Sequence, residues 1–115
     1  MVYYKEKRRS TRVSPDPASP IEVQIIGVSF LEVLHARNIC IHGVGIFVPH
    51  RFEGCNIDSC VELIITLPQG RPFKAIGKIR HDANKSKSFF GVEFVELDEK
   101  DRQAIAQYVE LRKEG

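Results

Sequence analysis

The chain has 115 residues, 43% hydrophobic and 28% charged, which is one domain's worth of sequence with enough apolar material for a single core and too little for a multidomain enzyme. No apolar run approaches the ~20 residues of a membrane-spanning helix, and the polar, basic start carries no apolar signal region, so a cytoplasmic protein is expected. Three unevenly spaced cysteines, Cys40, Cys55 and Cys60, argue against a disulfide framework and fit reduced thiols.

The net charge of +2 is unevenly distributed. Residues 1–12 hold Lys5, Lys7, Arg8, Arg9 and Arg12 against Glu6, a local +4, so the remainder sums to −2. A general nucleic-acid binder spreads its basic residues over a face of the fold, whereas here they form a short arm, the first place to look for an anionic ligand. Ser14 to Pro20 then has three prolines in seven residues and reads as an extended connector. The expected division is a flexible basic arm and connector over 1–20 and a folded body over 21–115.

In the body, Ile21 to Val28 alternates with a period of two, Ile21, Val23 and Ile25 on one face and Glu22 and Gln24 on the other, which predicts a strand. Phe30 to Ile39 and Gly45 to Pro49 are the next two strands, with Asn38 to Gly43 a polar turn between them, and Cys60 to Leu67 alternates through Val61, Leu63 and Ile65. Phe73 to His81 and Phe89 to Val95, joined by a polar link, predict a hairpin. From Asp98 the pattern changes: Ala104, Ile105, Tyr108, Val109 and Leu111 recur at helical spacing, giving one amphipathic helix over 99–113. Six short strands and a terminal helix predict a six-stranded antiparallel β-barrel with the helix over one opening or flank.

Two constellations carry chemistry. Arg8 and Arg12 form R-x-x-x-R, and arginine forks suit phosphate oxygens or the O6/N7 edge of guanine while their faces stack on purines. Asn38 can bond a base or phosphate, and Gly43 supplies a positive φ or a close backbone approach. An arm folding back over that turn would enclose a guanine nucleotide from two sides. The bland readings are a solubilising tail for the arm and an ordinary turn for residues 38–43.

With these motifs in order on a six-strand body, the chain resembles the PilZ domain, a bacterial receptor family for the second messenger cyclic di-GMP. The family pattern is R-x-x-x-R followed after roughly twenty to thirty residues by [DN]-x-S-x-x-G; here 25 residues separate Arg12 from Asn38, and Gly43 closes the second motif. Gly77 to Arg80, Phe90 to Phe94, and Asp101-Arg102 also look like the family's later segments. The resemblance implies cyclic di-GMP binding through Lys7, Arg8, Arg9, Arg12, Asn38, Cys40 and Gly43, with Lys7 in the position associated with an intercalated ligand dimer. Cys40 replaces the family serine with a poorer hydrogen-bonding group, which is expected to weaken binding. The implied role is non-catalytic, relaying ligand binding by a conformational change to a downstream protein, as a monomer or weak homodimer. The alternative is an interaction adaptor of the same fold that has lost the nucleotide.

Other chemistries fit less well. Cys40, His42, His50, Cys55 and Cys60 lack the paired spacing of a zinc site, so no metal is expected. A Cys40–His42 nucleophile–base pair lacks an orienting third group, His35 and His81 read as strand residues, and neither common phosphate-cradling glycine loop occurs. Single-stranded nucleic acid would call for an aromatic platform that the sequence lacks, and no membrane contact is expected.

Overall fold

The computed structural model describes residues 12–27, 31–47, 58–81 and 89–114. Among these residues six strands, β1 (Glu22–Ile26), β2 (Leu31–Cys40), β3 (Gly43–Phe47), β4 (Cys60–Thr66), β5 (Phe73–His81) and β6 (Phe89–Leu97), precede one helix, α1 (Glu99–Glu114). All pairings are antiparallel, and the order β1-β2-β3-β6-β5-β4 returns to β1 as a closed barrel. Closure satisfies the hydrogen-bonding groups that an open edge would leave for another chain.

The period of two governs the interior. Val23 and Ile25 of β1, Leu63 and Ile65 of β4, and Ile79 of β5 are fully buried, with Ile39, Val44 and Ile46 completing the core from β2 and β3. Helix α1 adds Ile105 and Val109, with Ala104 and Tyr108 packed beside them. Its first turn carries Glu99 and Asp101 and its last Arg112 and Lys113, matching the helix dipole at both ends.

Several boundaries differ from the sequence reading, β1 running from Glu22 to Ile26 rather than from Ile21 to Val28. Residues 38–40 belong to β2, so the expected polar turn shrinks to Ile41 and His42, and β3 starts at Gly43 rather than Gly45. The cause is a register shift between Ala36 and Asn38, which lets β2 bend and continue past its bulge. In addition, β6 runs to Leu97 and α1 to Glu114.

Glycine allows two close approaches to β6. A Cβ on Gly43 would collide with the carbonyl oxygen of Val92, and one on Gly77 would lie 2.6 Å from Val92 Cγ1 and 2.7 Å from the Glu93 oxygen. Neither position has positive φ, so Gly43 serves by its lack of a side chain rather than by its backbone freedom. Gly77→Ala is therefore expected to lower stability by about 1–3 kcal/mol, read from the urea midpoint at unchanged m-value.

The connector is tied to the helix end. Arg112 Nε donates to the Ser14 carbonyl at 2.9 Å, and Asp16 closes its own turn by accepting from the Ala18 N–H at 3.0 Å. Tyr108 lies in this neighbourhood with its hydroxyl buried and without a hydrogen-bond partner among the described residues. Burial pushes the phenol above its ordinary value, a shift opposed by Arg112 and reinforced by Asp16. A raised folded-state value means that Tyr108 favours folding below about pH 10, the unfolded phenol's range, and that this contribution is lost as pH rises through the folded value. Tyr108→Phe should be neutral or stabilising by about 1 kcal/mol at pH 7 and should flatten the loss of stability above pH 10 in denaturation curves.

Candidate functional site

Strand β2 outruns its neighbour. β1 pairs with β2 from Leu31 to His35, so among the described residues the edge of β2 beyond Ala36 has no named strand on that side. Val13 fills part of it: its N–H donates to the Ile39 carbonyl at 3.1 Å and its carbonyl accepts from the Ile39 N–H at 3.0 Å. This isolated bridge sets the preceding residue over β2, where Arg12 Nη1 donates to Asn38 Oδ1 at 2.9 Å. The last arginine of the arm and the first residue of the second motif, 26 positions apart, thus share a hydrogen bond.

Gly45 makes room for that pair. It lies opposite Asn38, and a Cβ there would sit 2.7 Å from Asn38 Oδ1. Cys40 is 3% exposed and points away from solvent, and its Sγ accepts the His42 N–H at 3.4 Å. A thiol in place of a hydroxyl therefore still caps the two-residue turn, though as a softer acceptor. Arg102 of α1 holds the same turn from below, donating from Nη1 to the Ile41 carbonyl at 2.7 Å. Phe94 N–H donates to the His42 carbonyl at 2.8 Å, which fixes the turn to β6.

Above the turn is a cleft of about 240 Å3 lined, among the described residues, by Arg12, His42, Arg80, Gly91, Val92 and Glu93. Its far wall is an ion-pair array: Arg80 Nε donates to Glu93 Oε1 at 2.7 Å, and Arg80 Nη1 donates to Asp58 Oδ1 at 2.5 Å. Asp58 adopts φ 71° and is tied to β5 through its N–H to the Ile79 carbonyl at 2.7 Å. The hydrogen bond to Glu93, with the charges of Glu93 and Asp58, raises the Arg80 guanidinium above its ordinary value despite partial desolvation, so Arg80 is a permanent cation. These side chains are about half exposed, and the array orients Arg80 more than it stabilises the fold.

Of the residues singled out from sequence, Arg12 and Asn38 are brought into contact, with Cys40 and Gly43 a cross-strand pair two rungs along the same strands. Lys7, Arg8 and Arg9 lie outside the described residues, as do His50 and Cys55. Among the described residues no cluster of three or more His, Cys, Asp or Glu could hold a metal, and no helix is long and apolar enough to cross a membrane. Sequence reasoning passed over Arg80, Glu93 and Asp58 as site residues. An arginine on β5 and a glutamate on the adjoining hairpin strand were visible signals, but two register shifts between those strands hid which residues meet.

The family model of the PilZ domain matches residues 6–111, so the chain belongs to that family. It is 29% identical over 115 residues to an uncharacterized protein of Aquifex aeolicus (strain VF5), covering 90% of this chain and 50% of that one. The chain thus spans about half the length of this curated relative. Among solved structures, the fold is similar to the Bacillus subtilis inhibitor of motility (MotI/DgrA), with TM-score 0.68, 24% identity, and coverage of 90% of this chain and 50% of that one. It is also similar to the K. pneumonia MrkH–c-di-GMP complex (TM-score 0.70, 12% identity, 89% and 49% covered). A third likeness is to the PilZ domain with c-di-GMP of YcgR from Escherichia coli (TM-score 0.70, 10% identity, 94% and 92% covered).

The capping role of Cys40 has a measurable consequence. Cys40→Ser keeps an acceptor for the His42 N–H, whereas Cys40→Ala leaves that N–H without one. The alanine variant should be less stable than the serine variant by about 1 kcal/mol in urea denaturation.

Proposed function

We propose that this chain is a non-catalytic, cytoplasmic receptor for cyclic di-GMP. The observation that carries the reading is the Arg12–Asn38 hydrogen bond, which joins the two halves of the family's ligand motif on a PilZ barrel. Two of the similar structures are described as containing this nucleotide, which supports the same assignment here. Arg12 supplies a fork for guanine or phosphate, Asn38 orients that fork and offers a polar edge of its own, and Arg8 and Arg9 close over the nucleotide from the arm. Lys7 then adds charge for a second, stacked ligand. Gly43 acts indirectly, by letting β3 lie close enough to β6 to form the cleft floor.

The same contacts suggest how binding is relayed. Ligand held by the arm pulls on Arg12 and Val13, the next residue's carbonyl is gripped by Arg112, and the C-terminal helix thereby responds to the arm. The altered surface of arm, connector and helix is the part a downstream protein would read, the receptor acting as a monomer or weak homodimer.

Isothermal titration with cyclic di-GMP tests the assignment. The native chain should bind with micromolar or tighter affinity, and Arg8→Ala/Arg12→Ala should lose at least tenfold, since each arginine contact is worth ~1–3 kcal/mol. Cys40→Ser should bind as well as or better than the native chain, and the fitted stoichiometry decides between one ligand and two. Silence in the native chain and recovery in Cys40→Ser would mark a receptor disabled at one position. Silence in both would favour the nucleotide-free adaptor.

A further inference from the structure

Among the described residues, the charges of the cleft described above already balance one another. Arg12 and Arg80 supply two positive charges, while Glu93, which lines the cleft, and Asp58, which reaches Arg80 from the β4 side, supply two negative ones. Lys78 pairs in register with Glu93 on its other flank. Arg80 has the geometry to receive a phosphate, a planar fork on the cleft wall, yet its Nε and Nη1 donors are already committed to carboxylates. A carboxylate bonded to a guanidinium presents the same oxygen-acceptor chemistry as a phosphodiester.

We propose that Arg80 is a third arginine of the ligand face and that Glu93 is its built-in competitor, occupying the guanidinium until a dianionic nucleotide displaces it. The inference rests on the cyclic di-GMP reading but assigns work to residues outside both sequence motifs. Glu93 then sets the affinity. With the acid in place, a ligand phosphate must break the Arg80–Glu93 bond and approach a negative charge; without it, the same phosphate meets a free Arg80 Nε and a net positive cleft. Asp58 remains bonded to Nη1 and keeps the fork aimed across the cleft.

The test is calorimetric titration of the full chain with cyclic di-GMP at two ionic strengths, using the native protein, Glu93→Gln, Asp58→Asn and Arg80→Ala, each with its thermal midpoint measured. Glu93→Gln should bind about 2–5-fold more tightly, the scale of an exposed charge interaction, and the gain should shrink at high salt. Arg80→Ala should bind more weakly than the native chain, and Asp58→Asn, which keeps an Oδ1 acceptor for Arg80 while losing a charge, should bind no more weakly than native and gain less than Glu93→Gln. A native chain that binds while Glu93→Gln is unchanged or weaker at an unaltered midpoint overturns the competitor and leaves the receptor assignment standing. A silent native chain with a binding Glu93→Gln variant supports the competitor in its strongest form. Silence in both overturns this inference together with the receptor reading.

Discussion

The site depends on an unfinished edge. β2 has ten residues, and β1 covers only its first half, so the backbone donors and acceptors of β2 beyond Ala36 need partners other than β1. Val13 meets that need with two hydrogen bonds to Ile39. Placing Val13 there leaves little choice about where Arg12 goes, and Arg12 lands beside Asn38. The position of a charged side chain thus follows from satisfying neutral backbone groups, which is a firmer anchor than an exposed ion pair.

Around that anchor, steric and electrostatic requirements converge on β6. Gly43 and Gly77 press β3 and β5 against Val92 and Glu93 from either side, and Gly45 opens a slot for Asn38. The Glu93 side chain then faces the cleft from a backbone gripped by two neighbouring strands. Its partner Arg80 is oriented by a second acid whose own backbone is tied to β5. Backbone placement of this kind lowers the ordering cost of any contact these side chains make.

Much of the barrel was legible because inward and outward residues alternate strictly in β1 and β4, where Val23, Ile25, Val61, Leu63 and Ile65 all reach the core as their spacing implies. Helix α1 was equally plain from Ile105 and Val109. The stretch from Asn38 to Gly43 misled, since polar Asn38 and the small residues near it look like a turn, and only the bulge and the Val13 bridge explain why the strand continues. The motif pair Arg12 and Asn38 was readable from its residue types and spacing. Their hydrogen bond was not, because it depends on the route of the connector. Arg80 and Glu93 stayed hidden for a related reason: two irregularities in one hairpin break the simple correspondence between sequence offset and cross-strand contact.

The bond from Arg112 to the Ser14 carbonyl brings together two points 98 positions apart in the chain, one on each side of the folded body. The barrel is therefore entered and left at one corner. A unit with that geometry behaves as a cassette: it can be spliced into a loop or strung beside another module while its interior contacts stay as they are. It also means that whatever is fused at either side shares a small volume with whatever is fused at the other. A shift of the connector at Ser14 would be felt there first, as a change in the angle between neighbours rather than in the barrel itself.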